Sequence, residues 1–162
     1  MLDDPVAYLD NACVTLKPQS VIDSIQDYYI NTPGCGGRSV HRYGTHVSKT
    51  ISQSRIKLAH FLSSPSVNEI VFTRNATHSL NQIAKGLEWN KGDVVLTTDR
   101  EHNSNLVPWL QLEQEQGIDH RIVRSNQDNT FNLESFEEAC AEAGSNLKMV
   151  SMSHVGNLDG VE

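Results

Sequence analysis

The chain has 162 residues, 38% of them hydrophobic and 20% charged, and its 13 Lys+Arg against 20 Asp+Glu give a formal net charge of −7. This is ordinary globular composition, long enough to bury a core without staples, and a negative field with no Lys/Arg run argues against nucleic-acid binding. Apolar runs as short as Ile70–Phe72 and Val94–Leu96 exclude a membrane span, while the Met1–Pro5 start lacks the basic and apolar regions of a secretory signal.

Gln19 to Asn31 sets Val21, Ile22, Ile25, Tyr28 and Tyr29 on one helical face, with Pro18 near the first turn. The Asn31–Gly37 stretch breaks the chain into a turn. No strand precedes Gly34–Gly37, which argues against a dinucleotide fingerprint. His41 and His46 flank Tyr43, but a five-residue gap suits neither helix nor strand, so no zinc site is expected. A second helix is predicted from about Val47 to Leu62, with Val47, Ile51, Leu58 and Leu62 inward, ended by Ser63-Ser64-Pro65-Ser66. Residues 1–65 thus read as a helical segment and linker.

From residue 66 the pattern alternates. Glu69–Thr73 is a predicted strand, followed by a helix with Leu80, Ile83, Ala84 and Leu87 on one side. Asp93–Thr97 is a second strand, followed by a helix from about Ser104 to Gln116 that Gly117 ends. Ile118–Val123 is a third, Asn132–Ala143 an acidic helix burying Phe136, Ala139, Cys140 and Ala143, and Leu147–Met152 a fourth strand. Such alternation indicates βαβ units and a mostly parallel sheet flanked by helices. With no covering helix after the last strand, this α/β sheet reads as incomplete, the front of something larger. Cys13, Cys35 and Cys140 are odd in number and form no CxxC pair, which fits a reducing cytoplasm better than a disulfide framework or a zinc knuckle.

Ligands of open α/β sheets bind outside the carboxyl ends of the strands. Three polar segments should open onto that rim: Arg74–Ser79, Thr97–Asn105 and Ser153–Asn157. The first opens a helix, whose free N–H groups and dipole attract phosphate. The alternative reading is Asn75 or Thr77 as a plain cap, and a capping hydroxyl can also hold a phosphate oxygen. His102 by itself reads as a surface or core histidine as readily as a ligand, and Asn157 as a turn residue beside Gly156.

Taken in order, the motifs resemble the class V aminotransferase family, and within it the cysteine desulfurase and selenocysteine lyase branch. Tyr8–Ala12 resembles the opening YLDNA and Val40–Arg42 the VHR element. Glu69–Thr77 with Leu80-Asn81 is similar to EIVFTRGTTEAIN, Glu101–Trp109 to EHHANLVPW, and Ser153–Gly160 to SHVSNVLG. The resemblance covers nearly the whole chain. It implies the N-terminal part of the large domain of the PLP-dependent transferase fold type I, with residues 66–162 a partial cofactor-binding domain. It also implies pyridoxal 5′-phosphate (PLP) as cofactor. Thr77 would bind the phosphate, with Ala76 contributing its N–H where the family carries a first Thr. His102 would be the catalytic residue stacked on the pyridine ring, and Asn157 would hydrogen-bond the phenolic oxygen. Asn75 stands where the family has Gly, which questions the tightness of that turn. Cys13, at a family Ala position, reads as a buried small residue.

The resemblance further implies removal of sulfur or selenium from cysteine or selenocysteine, giving alanine, with a sulfur-acceptor protein as partner, a role in iron–sulfur cluster assembly, and a homodimer. The family's cofactor-linking lysine, its aspartate facing the pyridine nitrogen and its persulfide cysteine match nothing here. Lys17, Lys49, Lys57, Lys85, Lys91 and Lys148 fill no such position. The expectation is therefore a fragment without desulfurase activity of its own, whose uncovered apolar surface favours self-association. Two other readings remain open at this point: a fragment of a kynureninase-like hydrolase or an epimerase, and a non-enzymatic α/β remnant.

Overall fold

The computed structural model describes residues 7–162, so the Met1–Pro5 reading lies outside the described residues. Two compact units divide at Phe72 and Thr73.

In the first unit, α1 spans Gln19–Asn31, with the bounds that its apolar spacing predicts. Its stripe does not become core. No residue of α1 is buried, and Val21, Ile22, Ile25 and Tyr29 all face solvent. α2 spans Arg42–Phe61, starting five residues earlier than expected. The reason is a cap: His41 accepts from the Gly44 N–H at 3.4 Å through Nδ1. Close approach supports it, because a Cβ on Gly34 would lie 2.9 Å from the Tyr43 carbonyl carbon. Of α2, Gly44 and Ala59 are buried, whereas Ile51, Leu58 and Leu62 are exposed. Cys13 is also exposed, contrary to its reading as a buried small residue.

The Glu69–Thr73 run is not a strand. Val67–Glu69 form a 3-10 turn capped by the Ser66 hydroxyl, which accepts from Asn68 N–H at 3.2 Å. Ile70 continues in extended backbone, but its carbonyl accepts from Arg55 Nε at 3.1 Å rather than from a neighbouring strand. A β-branched run without a partner makes no ladder, and among the described residues the sheet has three strands where four are expected.

The second unit builds that sheet. β1 (Val94–Thr98) lies between β2 (Asp119–Val123) and β3 (Leu147–Val150), and both pairings are parallel. A central parallel strand is buried on both faces, and Val94, Val95, Leu96 and Thr97 are all buried. Alternation sends Val95 one way, against Ala84 of α3 (Ala76–Gly86) and Trp109 and Leu112 of α4 (Val107–Gln116). Val94 and Leu96 point the other way, where Phe136, Ala139, Cys140 and Ala143 of α5 (Leu133–Ala143) pack as their spacing predicts. Full burial of a Val or Leu such as Val95 or Leu96 contributes about 1.5–3 kcal/mol.

Two local features interrupt the regular elements. Opposite β1, β3 slips by one residue between Val94 and Val95, leaving Lys148 as the bulged position. Its ammonium reaches Asp93 at 2.7 Å and stands 5.2 Å from the Trp89 ring centroid. The Ser104–Gln116 helix is split, because Pro108 starts a new helix near Val107 and leaves Asn103–Asn105 as a separate 3-10 turn. Gly117, at φ 72°, closes α4 in the left-handed region, as expected of a terminal glycine.

His120 of β2 lies on the α4 side, its Nε2 2.9 Å from Thr97 Oγ1. Burial pushes this imidazole below its ordinary value, against the opposing pull of Glu113 and Asp119. The unfolded chain therefore takes up the proton first. Stability should be full above about pH 6.5 and fall as pH drops below that value toward the folded pKa. Urea unfolding at pH 7.5 and pH 5 should show the loss in the wild type, and His120→Gln should reduce it; an equal loss in both would rule His120 out as its source.

Candidate functional site

The rim lies where the carboxyl ends of β1, β2 and β3 release the chain. From β1 emerges the segment that organises the others. Asp99 accepts from Ser125 Oγ at 2.5 Å and Ser125 N at 3.0 Å, tying in the exit of β2. Partial burial alone would raise the Asp99 carboxyl, but the two Ser125 hydrogen bonds and the Arg124 guanidinium outweigh it and hold it below its usual range. Glu101 accepts from Ser153 N at 2.9 Å and Ser153 Oγ at 2.9 Å, tying in the exit of β3. Between these exits opens a cavity of about 520 Å³, lined by Thr98, Arg100, Ser125, Phe131, Ser153 and Asp159 among others.

α3 presents its N-terminus to the same edge. Its far end leads through Leu87–Asp93 to the start of β1, so an 11-residue helix of roughly 16 Å runs antiparallel to a strand of similar length. Asn75 is the N-cap: its side-chain oxygen accepts from His78 N–H at 2.8 Å. Its φ of −170° is extended backbone that any residue adopts, so replacing the family's Gly there brings no strain. Because Asn75 takes the capping role, the Thr77 hydroxyl makes no hydrogen bond among the described residues, and neither do the Ala76 and Thr77 N–H groups. All are exposed.

His102 caps the 3-10 turn after β1, its Nδ1 accepting from Ser104 N at 3.1 Å and lying 2.9 Å from Ser104 Oγ. That fixes the ring and leaves Nε2 directed away from the turn's backbone. Asn157 sits in the turn after β3, exposed, and its side chain makes no hydrogen bond among the described residues. Thr77, His102 and Asn157 therefore arise from three segments that share one edge. None of the three hydrogen-bonds another, and none is among the residues lining the 520 Å³ cavity. Free N–H groups with a hydroxyl at a helix N-terminus, an oriented imidazole and a free carboxamide form a donor set that fits PLP's phosphate, ring and phenolic oxygen.

The sequence motifs contain Glu101 and Asn105 but give them no role. Asn105 is buried, donates to Glu101 Oε2 at 2.7 Å, and accepts from Trp109 Nε1 at 3.2 Å and Ser151 Oγ at 2.5 Å. The available signal was its place four residues before Trp109 and four after Glu101, one helical turn each way. Among the described residues no group of three or more His, Cys, Asp or Glu side chains is placed to hold a metal ion.

The family model for aminotransferase class V matches residues 7–162. A probable cysteine desulfurase from Synechocystis sp. is 34% identical over 159 residues, covering 96% of this chain and 37% of its own length. One from Ureaplasma parvum is 37% identical over 158 residues, covering 96% and 38%. The apo structure of a cysteine desulfurase from Thermococcus onnurineus NA1 superimposes with a TM-score of 0.82 at 30% identity, over 91% of this chain and 36% of that one. The chain thus spans little more than a third of the length of these relatives.

The cap can be tested alone. Asn75→Ala should cost about 1 kcal/mol and Asn75→Gly only a few tenths, read by urea unfolding; equal costs would mean that the Asn75 carboxamide does not hold the start of α3.

Proposed function

The chain belongs to the class V aminotransferase family, and from that premise we propose that it forms the phosphate- and ring-holding rim of a PLP-dependent cysteine desulfurase. The observation that carries this reading is the unpaired donor set at the start of α3, on the sheet edge where the His102 and Asn157 turns also emerge. Thr77 binds the phosphate through its hydroxyl and N–H, helped by the Ala76 N–H and the positive end of the helix. His102 stacks on the pyridine ring, held in orientation by Ser104. Asn157 donates its carboxamide to the phenolic oxygen. PLP, when bound, supplies an electron sink for bonds at the α-carbon of an amino acid. The substrate class is cysteine or selenocysteine, with alanine and sulfur or selenium as products.

Covalent linkage and handling of the α-proton need a lysine at the rim. Among this unit's lysines, Lys85 lies in the last turn of α3, Lys91 precedes β1, and Lys148 is bound to Asp93 at the opposite, amino edge. We therefore assign this unit a binding role and place no linking lysine in it. Transfer of sulfur to an acceptor protein for cluster assembly, a homodimer and a cytoplasmic location complete the proposal. The uncovered apolar face of α1 supports association, and three free cysteines suit a reducing compartment. No helix among the described residues is long and apolar enough to cross a membrane.

Titrating the chain with PLP, and with pyridoxal lacking the phosphate, tests the assignment. PLP should bind reversibly, Thr77→Ala should weaken it by about tenfold, as expected for one hydrogen bond to a charged group, and pyridoxal should be unaffected by that change. His102→Ala should weaken both. PLP affinity that ignores both substitutions would contradict the site, and borohydride fixing the cofactor at one specific lysine would contradict the absence of a linking group.

A further inference from the structure

We propose that Glu101 and Arg100 are positioning residues that hold the Asn157 turn in register with the His102 turn. Neither side chain hydrogen-bonds His102 or Asn157. Each instead grips one side of the segment that carries Asn157.

Glu101 grips the near side. Its carboxylate accepts from Thr98 Oγ1 at 2.8 Å, Asn105 Nδ2 at 2.7 Å, Ser153 N at 2.9 Å and Ser153 Oγ at 2.9 Å. The hydroxyls can turn, but the Ser153 N–H and the Asn105 amide can only donate. The Asn105 carboxamide cannot flip either, because its oxygen already accepts from Trp109 Nε1 and Ser151 Oγ in a buried setting. Ser153 N stands 2.9 Å from Oε1 and 3.1 Å from Oε2, and Asn105 Nδ2 stands 2.7 Å from Oε2, so each oxygen faces a group that can only donate and an amide in either orientation would set its NH₂ against one of them. Arg100 grips the far side. It pairs with Asp159 and donates to Asn129 Oδ1 at 3.0 Å. Asp159 in turn accepts from Val161 N at 3.2 Å, which closes the turn around Gly156–Gly160.

Asn157 lies between Ser153 and Asp159, and His102 follows directly on Glu101. Two adjacent residues at the exit of β1 thus fix both flanks of one turn against the start of the other. Two departures from the SHVSNVLG pattern fit this strut. Asp159 replaces Leu, and Gly156 replaces Ser, where a Cβ would stand 2.5 Å from Asp159 Oδ1. A side chain at 156 would crowd the carboxylate that Arg100 engages.

The functional meaning rests on the PLP reading, but the positioning can be measured without cofactor. Glu101→Gln replaces one accepting oxygen with an NH₂ group. The double variant Glu101→Gln with Asn105→Asp restores the donor–acceptor complement at unchanged net charge. ¹H–¹⁵N spectra of the whole chain should show the Asn157 backbone and side-chain amides shifted in Glu101→Gln and in Asp159→Asn, and returned toward wild type in the double variant. PLP affinity should follow the same order, falling by about tenfold in Glu101→Gln and recovering in the double variant. Unmoved Asn157 amides in both single variants, or no recovery in the double variant, would overturn the proposal. Should Glu101→Gln fail to fold, Ser153→Ala removes one bond without adding a donor, and Asn157 must still shift. A wild-type chain that binds no PLP would refute the cofactor reading, while the Asn157 response still decides this one.

Discussion

The structure depends on the complete burial of β1. A strand enclosed on both faces and paired on both edges has no freedom of register, and its neighbours inherit that constraint. The chain leaving β1 must then turn back over the sheet, carrying unsatisfied polar groups to the carboxyl edge. Asp99, Arg100 and Glu101 spend those groups on the exits of the other two strands. The rim is therefore an extension of the sheet, with the packing of Val95, Leu96 and Trp109 beneath it.

This arrangement explains how exposed groups can be held in place. Loops over a sheet edge are ordinarily mobile, but here the segments carrying His102 and Asn157 are anchored through Glu101 to the buried Asn105 and through Asn105 to Trp109. At the start of α3, a different economy operates. Asn75 satisfies the capping requirement, so the Thr77 hydroxyl and the first N–H groups stay available to an anion. The substitutions of the family's Gly and first Thr by Asn75 and Ala76 remove a hydroxyl but preserve the backbone donors.

Much of this was legible in the chain itself, where the signal is local. The spacing in Gln19–Asn31 and in Asn132–Ala143 located α1 and α5, and Gly117 marked the end of α4. Non-local features were not legible. Glu69–Thr73 has strand composition, yet a strand exists only with a partner, and none among the described residues pairs with it. The stripes on α1 and α2 have core periodicity, yet periodicity states what a face could bury and not what covers it. The start of α2 depended on a histidine acting as cap. Glu101 escaped notice for a related reason: its partner Ser153 is 52 residues away, and no window along the chain joins them. For the candidate site the motifs named three turns, and the hydrogen bonds among their neighbours show how two of those turns are held.

The central claim is that one sheet edge gathers three separate turns into a single cofactor-binding rim. An ¹H–¹⁵N spectrum of the chain titrated with PLP tests it most directly. The account predicts that the largest shifts fall together on the amides of Ala76, Thr77, His102 and Asn157, with Asn90–Asp93 at the opposite edge unmoved. Shifts concentrated at that opposite edge, with the three turns silent, would contradict it.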